Sequence, residues 1–98
     1  MVVSKKLIEI EGQRGALQIM LALQRNGEIL YGNLYNNKPF VEISNNSTAK
    51  RAIAILLKHK LINERKTENR KAKYYRLSKR GTHIANLLVK IEKILDER

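Results

Sequence analysis

The stretch Ile43 to Leu77, ISNNSTAKRAIAILLKHKLINERKTENRKAKYYRL, constrains the fold more than any other part of the chain. It opens on Ser44, Asn45, Asn46, Ser47 and Thr48, whose side-chain oxygens can accept the unpaired N–H groups of a helix start. No Gly or Pro follows until after Lys60, so the spacing predicts a helix over 46–60. Ala49, Ala52, Ile53, Leu56 and Leu57 recur at the spacing of one face laid against a core. At about 100° per residue, Ser47, Lys50, Arg51, Ala54 and Lys58 gather on the opposite side, with Thr48 and Ile55 at its margin. That side is short-chained, hydroxylated and cationic.

Two β-like runs follow, Leu61 to Lys66 and Ala72 to Leu77, separated by the charged turn Thr67-Glu68-Asn69-Arg70-Lys71. They read as a hairpin. The formal net charge is +11, and Lys58 to Arg80 holds ten of the twenty basic residues against only Glu64 and Glu68, so +8 of the +11 sits there. An excess of this size in 98 residues works against the compact state by self-repulsion, and a polyanionic partner is its ordinary explanation.

The string STAKRAIAILLKHKLINER followed by YYRLSKRG resembles the recognition helix and wing of the MarR-like and PadR-like winged helix-turn-helix regulators, small archaeal and bacterial transcription regulators. The order is helix, Leu-Ile, charged wing, Tyr-x-Leu-Ser, basic residue, Gly. The resemblance covers most of the chain. It implies an α+β fold, mostly α: a winged helix-turn-helix with a two- to three-stranded β-wing and a C-terminal dimerisation helix. It also implies one domain over 1–98, with an N-terminal segment 1–11, a winged-helix core 14–78 and the dimerisation helix 79–98. The length suits one core and is short for two.

Elsewhere the chain fits that frame. Met1 to Glu11 carries Val3, Leu7, Ile8 and Ile10 and reads as a short helix, although Leu7 to Glu11 alternates well enough for a strand. Gly12 and Gly15 allow a bend. From Arg14 to Asn26 the pattern is apolar almost all round, predicting a buried helix closed by a left-handed Gly27. Glu28 and Ile29 read as extended, and Leu30, Tyr31, Leu34 and Tyr35 as a second short helix bracing the recognition helix, ended by Pro39. The connection Lys38 to Ser44 exceeds the family's tight turn, but Phe40, Val41 and Ile43 predict that it packs. Adjacent Tyr74 and Tyr75 should point to opposite faces of a strand, one core and one exposed; Tyr31, Tyr35, Tyr74 and Tyr75 are expected to complete a small core rather than stack on bases. Ser78 caps a last helix, Lys79 to about Glu97. Its stripe Ile84, Leu87, Leu88, Ile91, Ile94 and Leu95 is wider than one small core covers, so it is expected to form a homodimer interface.

In the winged-helix reading, double-stranded DNA is the partner. Asn46, Ser47, Thr48, Lys50, Arg51 and Ala54 face the major groove: Arg51 suits a guanine, Ala54 a thymine methyl, and Ser47 or Thr48 a phosphate. Lys58, Arg65, Lys66, Arg70, Lys71 and Lys73 hold phosphates, with Arg70 or Lys71 entering the minor groove. With no cysteine, only His59 and His83 as histidines and Asp96 as the sole aspartate, neither a metal centre nor a catalytic constellation can be assembled. No cofactor, enzyme activity or membrane span is expected, and nothing polar converges on an effector site; a cytoplasmic, nucleoid-associated protein is the expectation. The resulting reading is a homodimeric, sequence-specific transcription regulator. An architectural DNA coat of chromatin type, or a winged-helix module meeting an acidic protein or RNA, stands as the alternative.

Overall fold

The chain is built around a helix that is apolar on most sides. In the computed structural model, which describes residues 3–36, 40–68 and 72–97, this is α2, Ala16–Asn26, with Ala16, Ile19, Met20, Ala22 and Leu23 buried. It is preceded by α1, Lys5–Gly12, a helix rather than a strand, capped by Ser4 and burying none of its residues. Gly27 closes α2 at φ 81°, a backbone angle that only glycine adopts freely, and its amide donates to the Leu23 carbonyl.

Strand β1, Glu28–Leu30, comes next, then a single 3-10 turn, Tyr31–Asn33. The second short helix expected over Leu30 to Tyr35 does not form. Leu30 is taken by a sheet pairing with Tyr74, which leaves too few residues to nucleate an α-helix. The chain to α3 is instead fixed by its own side chains. Val41 and Ile43 are buried, Phe40 packs on the core, and Gln18 accepts the Glu42 amide at 2.7 Å. The expected packing of this connection therefore holds, whereas Asn37, Lys38 and Pro39 lie outside the described residues.

Helix α3, Asn46–Lys58, begins where the cap-type residues predict: the Asn45 side chain accepts the Thr48 amide at 2.8 Å. It ends two residues before the predicted Lys60, because Lys60 has a left-handed backbone, φ 60°, that turns the chain into the sheet. Ala49, Ala52, Ile53 and Leu56 are buried, as the spacing requires. Strands β2, Ile62–Lys66, and β3, Lys73–Leu77, form the hairpin, and β1 joins its far edge to give an antiparallel sheet in the order β1-β3-β2.

The last helix, α4, Lys79–Asp96, is capped by Ser78, whose hydroxyl accepts the Gly81 amide and donates to the Lys60 carbonyl. Gly81 passes so close to the hairpin that an added Cβ would lie 1.9 Å from the Leu61 carbonyl oxygen. One buried cluster unites α2, α3, the sheet and the start of α4, with Ile19, Met20, Leu23, Leu34, Leu56 and Leu61 as its largest members. Full burial of each such side chain is worth roughly 1.5–3 kcal/mol. Tyr75 is buried and Tyr74 half-exposed, as their alternation predicted.

Candidate nucleic-acid interface

The side of α3 turned from the core is open to solvent. Asn46, Ser47, Lys50, Arg51, Ala54 and Lys58 are all exposed, and Thr48 is half-buried. These residues do not share one environment. The Asn46 side chain accepts a hydrogen bond from the Tyr31 hydroxyl, fixing the start of α3 to the 3-10 turn. Lys58 is paired with Glu9 of α1 at 2.9 Å, and His59 meets the same carboxylate at 2.6 Å. The hydrogen bond from Lys58, and then that from His59, hold the Glu9 carboxyl below its ordinary range. Lys50 and Arg51 have no partner among the described residues.

The hairpin divides its basic residues between two faces, because side chains alternate along each strand and register fixes which ones meet. Ile62 opposes Leu77, Glu64 opposes Tyr75 and Lys66 opposes Lys73 on the face turned toward α3. Arg65 opposes Tyr74 on the other face, where Glu28 of β1 also lies. There Arg65 makes a two-pronged pair with Glu28, at 3.1 and 2.8 Å, with its guanidinium 4.6 Å from the centre of the Tyr74 ring. That hydrogen bond depresses the Glu28 carboxyl and raises Arg65 further. Lys73 lies 3.7 Å from Glu64, and Lys66 has no partner among the described residues. Asn69, Arg70 and Lys71, the expected tip of the wing, lie outside the described residues.

What the structure brings together is therefore a subset of the expected cations. Lys50, Ala54 and Leu57 of α3 and Glu64, Ala72 and Lys73 of the hairpin line one open cavity of about 670 Å³, floored by Leu30, Ile53 and Tyr75. Tyr31 stands at its edge, its ring centre 6.3 Å from that of Tyr75. Burial, and secondarily the nearby Glu64, push the Tyr75 hydroxyl up to about 12. Tyr31, Leu57 and Glu64 are functional-site candidates that the sequence pattern does not single out. Glu64 was legible, since it stands two residues after the buried Ile62 and must share its face; the place of Tyr31 rests on a contact fifteen residues away in sequence.

The dimer stripe is also divided. Ile84 and Leu88 pack partly buried against the chain's own core, while Leu87, Ile91, Ile94 and Leu95 stay exposed at 48, 51, 66 and 76%. The exposed four lie along the outer and far part of α4, which runs on past the last residue it buries, Ala85.

Two helices, a short strand, a 3-10 turn, a third helix, a hairpin joined by the first strand and a last helix form a known order. The chain superimposes over its whole length on 98% of a protein assigned to the MarR family of transcriptional regulators from Porphyromonas gingivalis W83, with a TM-score of 0.79 at 19% identity. The fold is a winged helix. The transcriptional repressor BigR from Xylella fastidiosa matches 94% of this chain over 85% of its own, with a TM-score of 0.67 and 20% identity. A transcriptional regulator from Clostridium thermocellum matches 96% over 91%, with a TM-score of 0.65 and 20% identity. No family model and no curated protein sequence matches the chain. The winged helix of this chain is an abbreviated one, with a single 3-10 turn where the helix before the recognition helix was expected. Among the described residues no helix is long and apolar enough to cross a membrane, and no group of His, Cys, Asp or Glu could hold a metal.

Proposed function

We propose that the protein is a DNA-binding transcription regulator that works as a homodimer, its 98 residues forming one winged-helix unit. The observation that carries this reading is the shared cavity. Lys50 and Ala54 of α3 and Lys73 of the hairpin open onto one concave surface, so a duplex lying over α3 would meet the wing as well. Lys66 and Lys73 face one another across the strands; Glu64, 3.7 Å from Lys73, offsets that charge in part and leaves Lys66 without a partner among the described residues, so an anion above the pair lowers its energy. A phosphate backbone supplies that anion.

In this reading α3 enters the major groove. Arg51, exposed and unpaired among the described residues, offers its fork to a guanine edge, and Ala54 offers a methyl to a thymine. Lys50, Lys66 and Lys73 neutralise phosphate. Arg65 and Lys58 contribute less than the sequence suggests, being already satisfied by Glu28 and Glu9. The exposed Leu87, Ile91, Ile94 and Leu95 join two copies, which would set two α3 helices on half-sites about 34 Å apart.

The structural neighbours are a transcriptional repressor and two transcriptional regulators, which agrees with this assignment. Selection of bound duplexes from a random pool tests it. A two-fold symmetric motif is the expected result. Uniform recovery of all sequences would replace regulation with a DNA coat, and failure to retain duplex at moderate salt would remove DNA altogether.

A further inference from the structure

A second basic site lies at the other end of α3. A hollow of about 340 Å³ is lined by Lys6 of α1, Lys58, His59 and Lys60 from the end of α3, and Arg80 of α4. Every lining residue is a cation or an imidazole, and they come from three separate elements. The carboxylate that reaches them is Glu9, which is engaged by Lys58 and His59. Four permanent cations thus stand against one carboxylate, a net of +3 around a single cavity. Charges of one sign brought together this way repel, and the cost falls when an anion enters.

The helix dipole explains part of this clustering and leaves the rest. Basic residues gather at helix carboxyl ends because the last carbonyls are unpaired. Here the Ile55, Leu56 and Leu57 carbonyls accept from the His59, Leu61 and Lys60 amides, and just beyond the helix His59 accepts from the Arg80 guanidinium at 3.4 Å and Lys60 from the Ser78 hydroxyl at 2.7 Å. Lys6 and Lys60 find no partner among the described residues. Lys60 is moreover held at φ 60°, a conformation in which glycine or asparagine is the economical choice.

We propose that this hollow binds a phosphate-type oxyanion, with Lys6, Lys60 and Arg80 donating and Lys58 and His59 closing the rim. Two sources share that chemistry: a phosphate of flanking DNA, or a free phosphorylated compound. The site does not depend on what the other end of α3 reads.

The test is an amide NMR titration of the full chain with inorganic pyrophosphate, against sodium chloride of equal ionic strength, together with duplex binding by anisotropy. The variant pair is Lys6→Gln with Lys60→Asn, which removes two cations; asparagine tolerates the left-handed backbone, and retained spectral dispersion confirms folding. Pyrophosphate is expected to shift the amides of Lys6, His59, Lys60 and Arg80 saturably, and the double variant to bind it roughly tenfold more weakly. Unchanged duplex affinity in that variant identifies a free ligand; weaker duplex binding with a shallower salt slope identifies a DNA phosphate. Shifts reproduced by sodium chloride alone, or pyrophosphate affinity untouched by the double substitution, overturn the proposal.

Discussion

Gly81→Ala is expected to be the most damaging single-methyl change in the molecule. Its direct effect on α4 would be favourable, since alanine gains about 1 kcal/mol over glycine inside a helix. The added Cβ, however, would stand 1.9 Å from the Leu61 carbonyl oxygen, 2.9 Å from its carbon and 3.2 Å from Leu77 Cδ2. Real Cβ atoms keep 3.0 Å, so α4 and the start of β2 must separate by about 1.1 Å. Backbone cannot yield as a side-chain tip can. The same junction holds two hydrogen bonds that such a shift weakens: Ser78 amide to Leu61 carbonyl at 2.9 Å, and Ser78 hydroxyl to Lys60 carbonyl at 2.7 Å.

Overpacking costs about 1–3 kcal/mol and each weakened hydrogen bond about 1 kcal/mol. Against the helix gain, a net loss of roughly 2–4 kcal/mol results, a large share of the total stability of a domain this size. Urea denaturation should show a lower midpoint at an unchanged slope, and thermal scans a fall of roughly 10–30 °C. Gly12→Ala is the control, because nothing lies within 4 Å of its added Cβ, and it should leave stability the same or slightly raised. If Gly81→Ala came within about 0.5 kcal/mol of the parent, the contact between α4 and the hairpin would not be as described.

Three further outcomes are expected. Ile91→Glu with Ile94→Glu places charges on the exposed side of α4 and should leave a folded monomer by light scattering, with weakened duplex binding; an unchanged dimer would place the interface elsewhere. The Glu9 and Glu28 carboxyls are held below their ordinary 4.5 by Lys58 with His59 and by Arg65, so the stability they contribute is fully present above about that pH and is lost as pH falls through their folded values. Melting temperature should accordingly decline with acid below that point, and Glu28→Gln should flatten the decline; an equally steep loss in the variant would assign the effect to other groups. Tyr75, pushed up to about 12 chiefly by burial, should be among the last tyrosines to ionise in an alkaline absorbance titration, and Tyr75→Phe should remove the late component.

The parts of the fold that could be read from the chain are those decided locally. Asn45 capping and the Ala49, Ala52, Ile53, Leu56 spacing define α3 within a dozen residues, and Gly27 and Ser78 punctuate the ends of α2 and the start of α4. The missing second helix was not legible. Leu30, Tyr31, Leu34 and Tyr35 have helical spacing, and only the pairing of Leu30 with Tyr74, forty-four residues on, takes that segment into the sheet.

The candidate interface divides in the same way. That Lys50 and Arg51 lie outward follows from the wheel alone, whereas the neutralisation of Arg65 by Glu28 and of Lys58 by Glu9 joins residues 37 and 49 apart. Charge counting along the chain overstates the free positive surface for that reason. Likewise the α4 stripe reads as one seam in sequence, but its first turns are consumed by the chain's own core at Ile84 and Leu88.

Competition between DNA sequences over a salt series tests the reading role of α3 most directly. With the selected duplex and a scrambled one of equal length, Arg51→Ala is expected to lower affinity for the selected duplex by roughly 1–3 kcal/mol and to narrow its advantage, with little change on the scrambled duplex. Lys66→Ala should weaken both alike and reduce the salt slope by about one. Equal losses on the two duplexes from Arg51→Ala, or none, would contradict the placement of α3 in the groove.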